Sequence, residues 1–287
     1  MDELVSVRIV TFNHECFISK TIDSVLAQTY ENIEICISDD CSKDRTVEII
    51  KKYQREYPNK IKLFVQPINM GQHSTLINAN KSREMCSGKY IANLNGDDLM
   101  EPTRIKKQLE FLKNTKAIAT YHRMKVFNVR QNTYILDHPW TKSDHNVTTK
   151  KLIIYGNSVY NPTLMYKNVH NITGDIALKR MGDLFIITQL SLKGKILFQD
   201  EFLTQYNIHD NNLTKKAFTR DKLITLALLE YYFPYLRKYI NIKRASFVLS
   251  SIKENKKNIK YLFTYGFRNT ALAVWYIIKK YIVSKCF

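Results

Sequence analysis

"VSVRIVTFNHECFISKTIDSVLAQTYENIEICIS", residues 5–38, decides the fold. Its opening, "VSVRIVTF" (5–12), is short, β-branched and apolar, the signature of a buried strand. Ile18, Ile22, Val25 and Leu26 then fall on one face of a helix. "IEICIS" (33–38) is a second strand. Strand, helix and strand in so short a span make the unit of a parallel sheet, with the helix as crossover.

The alternation continues outward. Asp44 is placed to cap a helix carrying Val47, Ile50 and Tyr53. "IKLFVQ" (61–66) is a third strand, and "STLINANKSREMCSG" (74–88) a helix stopped by Gly88. "KYIANLN" (89–95) is a fourth strand, followed by a helix in "EPTRIKKQLEFLK" (101–113). This order predicts an α/β domain with a largely parallel central sheet and flanking helices. In open α/β sheets ligands sit beyond the carboxyl ends of the strands. Four polar clusters fall there: "TFNH" from Thr11, "SDDCSKD" from Ser38, "PINMGQHS" from Pro67 and "NGDD" from Asn95. Four polar strand ends on one rim make one site. No G-x-G-x-x-G follows the first strand and no G-x-x-x-x-G-K-[ST] occurs, which counts against a nicotinamide oxidoreductase and a P-loop NTPase.

After residue 116 the pattern changes. "AIATYHRMKVFNV" (117–129) reads as one or two strands, and residues 146–168 as a short helix, a turn and a strand. "MGDLFIITQLSLKG" (181–194) reads as a helix starting at Gly182-Asp183. "KILFQDEFLTQYNIHDNNLT" (195–214) reads as strands and a polar loop, and the chain beyond about 220 as basic amphipathic helix.

With 287 residues, 45% of them hydrophobic and 12% aromatic, the chain can bury a large core. The five cysteines form no C-x-x-C, so neither a zinc ribbon nor a redox pair is expected, and a reducing compartment is. The acidic, then strand-like "MDELVSVRIVTF" does not read as a signal peptide. The sequons at Asn146, Asn171 and Asn212 are therefore read as without meaning. No apolar run approaches a bilayer span; the best, "ALAVWYII" (271–278), stops at Lys279 and Lys280. Of the net charge of +18, residues 215–287 carry +13, from 16 Lys and Arg against 3 Asp and Glu. That surplus, with Trp275, Tyr276, Tyr281 and Phe287, suits a helix on an anionic membrane surface; a solvated basic bundle is the alternative. The acidic strand ends and the lack of any RNA motif argue against nucleic acid.

Asp97 and Asp98 are two adjacent negative charges where a strand ends. Such a pair can hold Mg²⁺ or Mn²⁺, or it can be the acid-favoured start of a helix. Asp40 is open to the same two readings: hydrogen bonds to a base or ribose, or an Asp-rich turn. Asp183, at the edge of the apolar "LFIITQL", is either a general base or an N-cap. His209 is either a phosphate or metal contact or a plain loop histidine.

Taken together, residues 4–115 resemble the opening of family 2 glycosyltransferases. The segments that carry the resemblance are Phe12-Asn13 ending the first strand, "SVLAQT", "DDCS", "NMG" with Asn78 beyond it, and "GKYIANLNGDD". The resemblance implies the GT-A fold and an inverting transfer from a nucleotide-diphosphate sugar, by default a UDP-sugar, to a saccharide or lipid-linked acceptor. It implies a divalent cation (Mn²⁺ or Mg²⁺) and a role in bacterial surface polysaccharide synthesis. It implies that Asp40 recognises the base, that Asp97 lies near ribose and diphosphate, and that Asp98 binds the metal. Thr11, Phe12, Asn13, Asn69, Gly71 and Asn78 join the nucleotide-sugar site. "NPTLMYKN" resembles the acceptor-side segment, implicating Asn161, Pro162 and Thr163. "GDLFIITQL" points to Asp183 as catalytic base, and "YNIHDNNLT" to His209 in a loop over the diphosphate. Phe12 stands where Tyr is usual, Cys41 where Gly is usual, and "NGDD" replaces "DADD".

The implied organisation is a nucleotide-sugar half over 1–115, an acceptor half over 116–215 and a basic helical region over 216–287. The expected location is the cytoplasm, at the cytoplasmic face of the membrane. The competing classes are a nucleotidyltransferase-like enzyme and a non-catalytic basic membrane- or nucleic-acid-binding protein. "TFNHECF" is not the glycine-rich basic loop the former needs, and retention of Asp40, Asp98 and Asp183 argues against the latter.

Overall fold

The computed structural model describes residues 2–69, 74–135, 146–172, 182–210 and 219–253. Gly71 and the aromatic residues beyond 253 lie outside the described residues. The first half runs β1 (Val5–Thr11), α1 (Ile18–Leu26), β2 (Ile33–Asp39), α2 (Thr46–Glu56), β3 (Ile61–Val65), α3 (Ser74–Glu84) and β4 (Tyr90–Asn95). A two-residue strand β5 (Leu99–Met100), helix α4 (Arg104–Thr115) and strands β6 (Ala119–Asn128), β7 (Thr133–Ile135) and β8 (Asn146–Val147) follow. Then come α5 (Thr149–Tyr155), a 3-10 turn at Asn161–Thr163, β9 (Met165–Lys167), α6 (Gly182–Lys193), β10 (Ile196–Ile208), α7 (Thr219–Tyr232) and α8 (Arg237–Lys253).

The strands form one mixed sheet in the order β3-β2-β1-β4-β9-β6-β10-β5, with β7 on β6 and β8 on β10. β3, β2, β1 and β4 are mutually parallel, so their carboxyl ends share one edge. Register makes this concrete: Thr11 pairs with Asp39, Asp39 with Val65, and Val10 with Asn95. β9 runs antiparallel between β4 and β6, and β6 and β10 are parallel. The segment 117–129 contributes one long strand, β6, and 196–208 another, β10, kinked by irregular register between Gln199 and Thr204.

The core follows from the pattern. Val5, Val7 and Ile9 of β1 and Ile35 and Ile37 of β2 are fully buried, as are Ile18, Ile22 and Val25 of α1. Each such side chain contributes about 1.5–3 kcal/mol. Charged residues share that interior. Arg104, fully buried at the start of α4, donates to Gln108 Oε1 (3.0 Å), Thr204 Oγ1 (2.9 Å) and the Asn93 carbonyl (2.9 Å). It pins α4 to β4 and β10. Burial lowers its pKa, with the Asp98 charge pulling back up.

The chain divides into two compact units: residues 1–148 with 158–216, and residues 149–157 with 217–287. In the second, α5 packs on α8, and Glu230 pairs with both Arg237 and Arg244. Tyr155, Tyr231 and Tyr235 of this unit are 78%, 78% and 67% exposed. No described helix is long and apolar enough to cross a membrane.

Candidate active site

β5 assembles the site. Leu99 and Met100 pair antiparallel with Gln205 and Thr204. That short ladder sets the acidic turn before β5 against the end of β10. The Asn207 side chain donates to the Asp97 carbonyl at 2.6 Å, and the Asn207 N–H to Asp98 Oδ1 at 3.1 Å. His209 Nε2 lies 3.0 Å from Asp97 Oδ2. His14, just beyond β1, places its Nε2 3.8 Å from the same oxygen. Its Nδ1 is 3.1 Å from Thr11 Oγ1. Phe17 stacks on His209, with ring centres 4.7 Å apart.

The two carboxylates therefore differ. Asp98 is fully buried; its other oxygen accepts the Asn95 side-chain N–H at 2.9 Å. Burial, then the neighbouring Asp97 charge, pushes its carboxyl well above the usual range, against the pull of Asn207, Asn95 and Arg104. Asp97 instead turns an oxygen to two imidazoles. Among the described residues, His14, Asp97 and His209 are the group whose donor atoms all lie within 4.8 Å of one another. Burial lowers the His14 pKa, keeping its imidazole neutral and able to ligate. Two nitrogens and one carboxylate oxygen fit Mn²⁺ better than Mg²⁺, which prefers oxygen alone.

Gly96 explains how the rim closes so tightly. A Cβ there would lie 2.6 Å from Thr11 Cβ and 2.9 Å from His14 Nδ1. Only a hydrogen leaves room for β1 and the acidic turn to meet.

Along the rim, Asp40 is buried and its N–H donates to the Thr11 carbonyl at 3.1 Å. Asn69 donates to Asp40 Oδ2 at 2.8 Å and to its carbonyl at 3.0 Å, so two of the expected nucleotide contacts stand together. Asp39 is a turn residue: its Oδ1 accepts the Ser42 N–H at 2.8 Å. Cys41 adopts φ 61° despite its side chain, at a cost of about 1–2 kcal/mol. Asn13, also left-handed, accepts the Lys43 N–H at 2.9 Å and so ties the first rim loop to the second. Phe12 is exposed on the rim. Asn78 is buried and accepts from Ser38 Oγ, near the end of β2, at 2.7 Å.

The segment expected on the acceptor side forms the 3-10 turn Asn161–Thr163. Thr163 is fully buried and donates to the Tyr160 carbonyl at 2.8 Å, Pro162 is buried, and Asn161 Oδ1 accepts from Asn93 at 2.7 Å. Asp183 stands in the first turn of α6. Its side chain is exposed, yet the protein around it raises its carboxyl above the usual aspartate range, against the Arg8 guanidinium.

His14, Phe17, Asn93 and Asn207 were not singled out from sequence. His14 had a signal, its place in the polar run ending β1. Asn207 had none, since its partners lie 109 and 110 residues away.

Residues 6–183 match the family model described as glycosyl transferase family 2. EpsE of Bacillus subtilis (strain 168), provisionally named a glycosyltransferase, is 38% identical over 108 residues, covering 38% of each chain. TuaG of the same organism, provisionally a teichuronic acid biosynthesis glycosyltransferase, is 35% identical over 109 residues, covering 38% of this chain and 42% of that one. The chain thus matches less than half the length of either relative. Among solved structures, S. aureus TarS in complex with UDP-GlcNAc superposes with TM-score 0.67 at 17% identity, over 88% of this chain and 73% of that one. The mannosyltransferase PcManGT of Pyrobaculum calidifontis, in complex with GDP-Man and Mn²⁺, gives 0.53 at 14% identity, over 82% and 64%. These likenesses speak to the fold, and the family match covers the rim, the acidic turn and Asp183. The chain belongs to glycosyl transferase family 2 and has the GT-A fold.

Proposed function

We propose that this protein moves a sugar from a nucleotide-diphosphate sugar, by default a UDP-sugar, to a hydroxyl of a saccharide or lipid-linked acceptor, inverting the anomeric carbon. The observation that carries this reading is the convergence of His14, Asp97 and His209 on the rim that also holds Asp40 and Asn69. UDP-GlcNAc in TarS and GDP-Man with Mn²⁺ in PcManGT favour such a donor, and the name of TuaG favours a bacterial surface polysaccharide as product.

In this reading residues 1–115 bind the donor and 116–215 the acceptor. Asp40, supported by Asn69, receives the base, and Thr11, Phe12 and Asn13 line the rim beside it. Asp97, His14 and His209 would hold a divalent cation, Mn²⁺ before Mg²⁺. That cation would supply positive charge for the leaving diphosphate. Metal contact thus falls to Asp97, while Asp98 braces the turn from beneath. Asn161, Pro162 and Thr163 border the acceptor. Asp183 takes the proton from its attacking hydroxyl, which enters the face of the sugar opposite the diphosphate.

The exposed tyrosines of the second unit, with the charge surplus of residues 215–287, support peripheral contact with an anionic cytoplasmic membrane surface.

Calorimetry with UDP tests the donor site, in Mn²⁺ and then in EDTA. Metal-dependent binding is expected, and UDP-sugars follow as a panel. Binding of GDP, CDP or dTDP instead of UDP would change the donor. No binding of any nucleoside diphosphate would overturn the reading.

A further inference from the structure

A charge sits inside the sheet. Arg8 lies in the middle of β1, between Cys36 of β2 and Asn93 of β4, and is 3% exposed. An isolated guanidinium in such a place costs several kcal/mol unless neighbours compensate. Its bonds go to neutral groups: Nε donates to Asn93 Oδ1 at 2.9 Å and Nη1 to the Ala79 carbonyl at 3.0 Å.

Asn93 uses every polar group it has. Besides accepting from Arg8, its Nδ2 donates to Asn161 Oδ1 at 2.7 Å. Its N–H donates to the Leu164 carbonyl at 2.9 Å, and its carbonyl accepts from Arg104 at 2.9 Å. The turn 161–164 is therefore held at both ends by one residue, and Arg8 fixes the amide of that residue.

We infer that Arg8 is a positioning residue of the transfer site: through Asn93 it fixes the acceptor-side turn at Asn161–Thr163. The inference rests on the proposed place of that turn beside the acceptor. Loss of the Nε bond frees Asn93 to turn and loosens the acceptor side, without touching the cation or nucleotide contacts.

The test uses the full chain with Arg8→Lys, Arg8→Gln and Asn161→Ala. Nitrogen NMR of labelled asparagine, with the Asn93 side-chain amide assigned through Asn93→Ala, reads that amide without any need for turnover. Arg8→Lys is expected to shift and broaden it, and Asn161→Ala to shift it. Arg8→Lys and Asn161→Ala raise the acceptor KM about three-fold or more, with the donor KM unchanged. A folded Arg8→Lys protein with the wild-type Asn93 amide resonance overturns the inference, as does a wild-type acceptor KM in both Arg8→Lys and Asn161→Ala. If Arg8→Gln does not fold, Arg8→Lys and Asn161→Ala carry the test. Wild-type protein that transfers no sugar would sink the proposed function, while the amide resonance still reports on Arg8 and Asn93.

Discussion

His209 Nε2 lies 3.0 Å from Asp97 Oδ2, although the two residues are 112 positions apart. Around this contact the two acids of the turn take different work. Asp97 faces the imidazoles, and Asp98 accepts bonds from Asn95 and Asn207 inside the fold. The first prediction follows. Asp97→Asn lowers Mn²⁺-dependent UDP affinity by about 100-fold or more, since loss of a ligand should exceed the 10–100-fold typical of its supporting partners. Asp98→Ala leaves two donors unpaired and lowers stability by about 2–6 kcal/mol, at about 1–3 per group. Calorimetry and denaturant melts on both variants check this. Equal loss of metal affinity with unchanged stability in Asp98→Ala would return the metal to Asp98.

Gly96 carries the second prediction. Gly96→Ala would push a methyl against Thr11 Cβ, a backbone-anchored atom that cannot swing away. The Thr11–His14 contact breaks and the rim opens. A destabilisation of about 1–3 kcal/mol is expected, with weakened Mn²⁺ binding. A variant with wild-type melting and wild-type Mn²⁺ affinity would show that the rim tolerates separation.

How much of this was legible in sequence depends on range. β1 to β4 and their helices announce themselves through local periodicity, and the polar residues at their ends name the functional edge. The pairing of Asp97 with His209 rests on β5, two residues that carry no strand signal. The division between Asp97 and Asp98 depends on which carboxylate the turn sends inward, and adjacent identical residues give no hint of that. Arg8 and Asn93 were passed over because both sit inside runs that read as apolar strand. Asn78 was named through the resemblance alone, and its burial against Ser38 at the end of β2 had no sequence signal.

The proposed base, Asp183, gives the third prediction. Asp183→Asn removes the proton acceptor and should lower kcat by about 10²–10⁴-fold while UDP still binds with its wild-type Kd. In the wild type, the carboxyl is raised above the ordinary aspartate range, and only its ionised form accepts a proton. Rate therefore rises with pH through that raised pKa and is lost as pH falls below it. The acidic limb of a kcat/KM profile should lie above an ordinary aspartate pKa of about 4. Near-wild-type turnover in Asp183→Asn would assign the base elsewhere.

The last prediction concerns the second unit. Tyr231 and Tyr235 flank the end of α7 with Arg237 and Lys238 exposed just beyond, so aromatic and cationic groups share a short stretch. Aromatic rings favour the headgroup zone, and each nearby cation adds about 1 kcal/mol on an anionic surface. The full chain is therefore expected to co-sediment with phosphatidylglycerol vesicles at low salt and not with phosphatidylcholine vesicles. Tyr231→Ser combined with Tyr235→Ser should cut that binding several-fold without changing UDP affinity, because aromatic insertion and charge attraction act together. High salt should weaken what remains, since charge alone would then hold it. If the double variant binds as tightly as the wild type, the attraction is purely electrostatic and the tyrosines face something else. If neither binds, the charge surplus serves a partner other than lipid.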